Sequence, residues 1–203
     1  MLMALLLALG VSGCIAFPDP SKAVAPIMYN GSPVCTAWHY SPHIYITASH
    51  CTTNPDQEYM LTVDLLPRTG LVHGTVVKID VEADIAAIFV LGQGGEPILQ
   101  LSAHPSMVGE SVRGLGYGGR SNTAYYTYGH ISSLLMVFPT ARTGENLILY
   151  GGFIPGMSGG PILNNWGEVI SVIVGSGPPH GIFHNIGVGT APGMLEQFVD
   201  NLP

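Results

Sequence analysis

Gly156-Met157-Ser158-Gly159-Gly160-Pro161 sets a single hydroxyl in a turn whose glycine neighbours carry no side chain. Such a setting suits attack on a carbonyl: small neighbours admit the substrate, and backbone N–H groups can point at the oxygen that becomes negative. A serine is a weak nucleophile until a base takes its proton and a third group holds that base in the right tautomer. Ile44-Tyr45-Ile46-Thr47-Ala48-Ser49-His50-Cys51 offers a base, His50, where an apolar run ends. Glu82-Ala83-Asp84-Ile85-Ala86-Ala87-Ile88 offers an acid, Asp84, just ahead of another, where it can be sheltered and hydrogen-bonded to imidazole. Ser158 is the candidate nucleophile, His50 the general base and Asp84 the orienting acid, with the N–H groups of Gly156 and Ser158 as the candidate oxyanion hole. This is acyl-transfer chemistry, and it calls for no cofactor. The remaining histidines contain no His-Glu-x-x-His pair, so no metal site is expected. Gly114-Leu115-Gly116-Tyr117-Gly118-Gly119 has no helix after it and is read as a strand end rather than a phosphate loop.

To meet in space, residues this far apart need a rigid frame. The composition favours a turn-rich, well-buried β protein: 27 glycines, 16 prolines and 47% hydrophobic residues, with only 9% charged. Short apolar runs recur between Gly, Pro, Asn and Asp clusters at 43–48, 59–66, 74–81, 85–91, 111–116, 124–131, 147–150, 161–163, 169–174 and 187–190. Only 192–202 has helical spacing, with Met194, Leu195, Phe198, Val199 and Leu202 on one face. The stretch 97–108 reads as the crossing between two halves. The expected organisation is an apolar export signal over 1–13, a proline-broken linker over 14–23, an N-terminal unit over 24–105 and a C-terminal unit over 106–203 with the helix.

A formal charge of −7 and six scattered basic residues argue against nucleic acid as a partner. Val11-Ser12-Gly13-Cys14 is similar to a bacterial lipobox, which makes Cys14 a candidate for lipid and membrane attachment, although residues 1–9 lack the usual basic opening. An ordinary cleaved signal is the alternative. Three cysteines leave one over after any pairing. Cys35 and Cys51 bracket an apolar stretch that reads as two adjacent strands, and as a disulfide they would stabilise the fold by about 3 kcal/mol in an oxidising compartment. Two reduced, buried thiols are the other reading.

Thr47-Ala48-Ser49-His50-Cys51, Asp84-Ile85-Ala86 and the 156–161 turn, in the order His, Asp, Ser, resemble the three motifs of the chymotrypsin-like serine proteases. The order separates them from subtilisin-like and α/β-hydrolase enzymes, and no helix follows Ser158 as a nucleophile elbow requires. The resemblance implies an all-β fold of two six-stranded antiparallel barrels around a shared active-site cleft, a C-terminal helix, and a serine endopeptidase acting on polypeptide. Cys35 and Cys51 lie where the family often carries a disulfide. Met157 stands where pancreatic-type members place an acid that pairs with a new N-terminus, so bacterial and viral trypsin-like members are the closer comparison. Many members also place a serine near the buried aspartate where this chain has Ile173, which implies one support fewer for Asp84. The primary pocket implied by the resemblance is bounded by Gly151, Gly152, Gly175 and Gly187, with Phe153 and Ile154 close by and substrate extended along Ile173 to Gly175. With no acid among these residues, an apolar side chain before the scissile bond is expected. A catalytically silent binding module on the same fold is the competing function.

Overall fold

The computed structural model describes residues 19–53, 60, 62–67, 70–92, 97–136, 146–177 and 186–202. Cys14, the lipid candidate, and the apolar run 1–13 lie outside them. Twelve strands close into two antiparallel barrels. The first holds β1 (Val24–Tyr29), β2 (Ser32–Ser41), β3 (Ile44–Thr47), β4 (Thr62–Leu65), β5 (Val72–Asp80) and β6 (Ile85–Phe89), in the order β1-β2-β3-β6-β5-β4. The second holds β7 (Ser111–Gly116), β8 (Tyr125–Met136), β9 (Asn146–Tyr150), β10 (Pro161–Leu163), β11 (Val169–Ser176) and β12 (Ile186–Thr190), in the order β10-β11-β12-β9-β8-β7. One helix, α1 (Met194–Asp200), follows. Two strands, β1 and β2, are longer and earlier than the apolar runs indicate. Within the stretch read as a linker, Pro20–Lys22 forms a turn of 3₁₀ helix capped by the Asp19 side chain, and Ala23 is buried.

The strands that read as unbroken apolar runs do so because both of their faces are covered. Successive side chains of a strand point to opposite faces. In β3, Tyr45 enters the first barrel while Ile44 and Ile46 face the junction between barrels. In β11 the register shift against β10 at Ile170 interrupts the alternation, so that Ile170 and Ile173 fill the second barrel while Val169 and Val172 join the junction. Trp38, Leu115, Leu163 and Leu99 complete that shared layer.

The crossing segment is clamped on both sides. Leu99 N–H donates to His39 O at 3.0 Å on the first barrel, while on the second Val169 N–H donates to Gln100 O and Ser102 N–H to Val169 O, each at 2.8 Å. Helix α1 returns to the junction, where Leu195, Phe198 and Val199 are buried in the same apolar cluster as Ala83 and Ile85 and the helix packs on β11. Lys78 from β5 donates to the Phe198 carbonyl at 2.6 Å and sits 4.4 Å over its ring, a favourable cation on a helix C-terminus.

Candidate active site

β3 runs directly into a 3₁₀ turn, Ser49–Thr52, which carries His50 at its second position. Asp84 stands one residue before β6, and β3 and β6 are paired neighbours, so the sheet itself brings base and acid together. Asp84 adopts a left-handed backbone with φ of 54°, a conformation that Asp tolerates better than most residues. Its Oδ2 lies 2.7 Å from His50 Nδ1, its Oδ1 accepts the His50 N–H at 2.9 Å, and the same Oδ1 accepts the Ser49 hydroxyl at 2.7 Å. The acid is 2% exposed, whereas the imidazole keeps one side open. Cys35 and Cys51 form a disulfide with Cα atoms 6.0 Å apart, tying the His50 turn to β2. Cys35, His50 and Cys51 bring three potential ligand atoms within 4.8 Å, but both sulfurs are committed to the bridge and cannot bind a metal as thiolates.

The nucleophile turn belongs to the second barrel yet is held by the first. Thr36 N–H donates to the Ser158 carbonyl at 2.8 Å, and the Cys51 sulfur lies 3.6 Å from the same oxygen. The Thr36 hydroxyl donates to Gly156 O and accepts from Tyr117 N–H, both at 2.9 Å. Gly156 has φ of 100°, and a Cβ there would collide with the Tyr117 carbonyl, so only glycine permits this approach. Met157 N–H is occupied by Ile154 O at 3.1 Å and Gly159 N–H by Ile173 O at 2.7 Å. Among the described residues the N–H groups of Gly156 and Ser158 have no acceptor, the state required of a pair that must receive an oxyanion. The Ser158 hydroxyl likewise makes no hydrogen bond among the described residues, so base and acid are joined while the link to the nucleophile is not; in resting hydrolases that link is often long and tightens with substrate. Met157 is fully buried in the second barrel's core, a place for an apolar side chain.

The expected pocket residues divide. Phe153 turns inward, 8% exposed, with its ring between Gly114 and Gly187; a methyl on Gly187 would come within 2.5 to 2.6 Å of it. Gly152, next in the chain to Phe153, is exposed and lines a surface groove with Tyr128, His130 and Tyr150. Gly175 is half-buried opposite Val188, beside Gly187. The side chain of Ile173 is buried in the second core, and its carbonyl and N–H are taken by Gly159 N–H and Gly160 O at 2.7 and 2.8 Å. On the far side of His50 lies a cavity of about 270 Å³, mostly apolar, lined by Ile27, Met28, Val34 and Met60. Thr36 and Ser49, both central to the arrangement, carry no periodic signal; only adjacency to His50 could have singled out Ser49.

Residues 35–172 match the trypsin-like peptidase domain model, and the chain belongs to that family, a serine-type hydrolase with a polypeptide substrate. Among solved structures, the chain is similar to the Rv3671c protease in its inactive form, at 21% identity and a TM-score of 0.72 over 89% of each chain. It is likewise similar to the active form of the Rv3671c protease from M. tuberculosis, at 21% identity and a TM-score of 0.73 over 89% of this chain and 81% of that one. These likenesses are of fold. No curated protein matches the chain.

Thr36 is the testable joint. Thr36→Val removes the donor to Gly156 O and the hydroxyl that accepts from the buried Tyr117 N–H, which should cost about 1–3 kcal/mol of stability and reduce kcat more than it raises KM. Denaturant midpoints and steady-state kinetics on one preparation measure both, and wild-type values for each would contradict the bridge.

Proposed function

We propose that this chain is an endopeptidase in which Ser158, His50 and Asp84 act as one catalytic unit. The observation that carries the reading is the coupling of His50 to a buried carboxylate on one barrel, beside a glycine turn on the other whose two N–H groups are free. The Ser158 oxygen attacks the scissile carbonyl as His50 takes its proton, and the N–H groups of Gly156 and Ser158 receive the oxyanion. The C–N bond then breaks, the leaving amine takes the proton from His50, and an acyl ester on Ser158 remains. Water attacks that ester with His50 again as base, releasing the acid and restoring the hydroxyl.

Specificity follows from Phe153. Its ring occupies depth between Gly114 and Gly187 that a substrate side chain would otherwise use, and no acid lies with it to meet a cation. The primary pocket is therefore short and apolar, and it favours a small aliphatic residue before the scissile bond. We also propose that the apolar start directs export and that Cys14 receives lipid, the lipobox-like 11–14 stretch being the support.

A fluorophosphonate should label the wild-type chain at Ser158 and leave Ser158→Ala unlabelled, with kcat lowered on the order of 10⁴-fold and folding intact. Folded wild-type protein that resists labelling would instead favour a silent binding module. On a peptide library, alanine and valine before the cut should exceed phenylalanine, and Phe153→Ala should shift the preference to larger side chains by about 10–200-fold per methylene accommodated. Dominant cleavage after Lys or Arg would refute the pocket while sparing the triad. Intact mass of the protein from its native host should show diacylglycerol on an N-terminal Cys14; a mature chain starting elsewhere would mark an ordinary secreted enzyme.

A further inference from the structure

We infer that Ser49 is a positioning residue for the His50–Asp84 pair, holding the carboxylate from the same turn that carries the base; this rests on the peptidase reading above. A carboxylate that is 2% exposed must find its donors in the protein, because a buried charge without hydrogen bonds is heavily penalised. Oδ2 is engaged by His50 Nδ1 at 2.7 Å, which leaves Oδ1 to be fixed by something else. Two donors meet it there, the His50 N–H at 2.9 Å and the Ser49 hydroxyl at 2.7 Å. Strand β11, where a serine is expected from the resemblance, instead presents Ile173 to the second barrel's core. Among the described residues, Ser49 is therefore the side-chain hydroxyl that serves this acid.

Nothing about Ser49 is free to do otherwise. It is 1% exposed, its N–H donates to the Asp84 carbonyl at 3.1 Å, and its own carbonyl accepts the Thr52 hydroxyl at 2.7 Å. The side chain and main chain of Ser49 thus grip the side chain and main chain of Asp84 at once. When His50 takes the serine proton, the imidazolium needs the carboxylate ionised and unrotated. A hydroxyl on Oδ1 resists rotation that would turn Oδ2 away from Nδ1, and it spreads charge while imidazole is still neutral.

Ser49→Ala and Ser49→Thr, made in the full chain, separate this role from simple folding. In the alanine variant kcat and the rate of fluorophosphonate labelling should fall about 10-fold or more with KM within twofold, the size expected for one hydrogen bond to a charge. The low-field proton resonance of the Nδ1–H shared by His50 and Asp84 should also move, and Ser49→Thr should return both readouts toward wild type. Wild-type kcat with an unmoved resonance in Ser49→Ala would overturn the inference. So would a loss of activity that simply tracks loss of folded protein and that threonine does not restore. The resonance is read on the resting protein, so a chain inactive in wild-type form would sink the peptidase reading while still testing Ser49.

Discussion

A carboxylate shut away from water at the seam of two barrels is the constraint around which this molecule is arranged. Removing an ion from water costs several kcal/mol even after local relaxation, and only close, well-aimed donors recover it. Asp84 finds them in the turn after β3, so the strand pairing of β3 with β6 is fixed in register by electrostatics as well as by its ladder. The left-handed backbone at Asp84 is tolerated under the same demand. Its flanking residues Ala83 and Ile85 are fully buried in the apolar cluster shared by the two barrels and the terminal helix.

The second barrel contributes a turn rather than a charge, and that turn is shaped by the first. Thr36 reaches across with both its N–H and its hydroxyl, serving Ser158 O, Gly156 O and Tyr117 N–H. Gly159 packs so closely on Thr47 and the Thr36 carbonyl that a Cβ would not fit, making it a point of direct backbone contact between barrels. Apolar burial supplies most of the adhesion through Trp38, Ile46, Leu163 and Val172, while these few polar links set the angle at which the Ser158 turn faces His50.

Much of this was legible in the residues. His50, Asp84 and Ser158 stood out because their neighbours were unusual for structural residues: a cysteine after the histidine, an apolar run after the acid, glycines around the serine. Most strands and the terminal helix followed from periodicity. β1 and β2 were harder, since Pro26 and Pro33 interrupt them and β1 is buried on both faces for four residues, which erases alternation. The contrast between exposed Gly152 and buried Phe153 was not legible, because a glycine has no side chain to reveal its direction. Thr36 and Ser49 were invisible for another reason: their partners lie 120 and 35 residues away, and no local pattern encodes a hydrogen bond across that distance.

The order of these segments along the chain has a bearing on how such a chain comes into being. During synthesis His50 and Asp84 emerge early, whereas the Ser158 turn and the strands β10 to β12 that follow it emerge late. A half-made chain therefore holds His50 and Asp84 without the turn they face, and the two meet it only once most of the second barrel has been made.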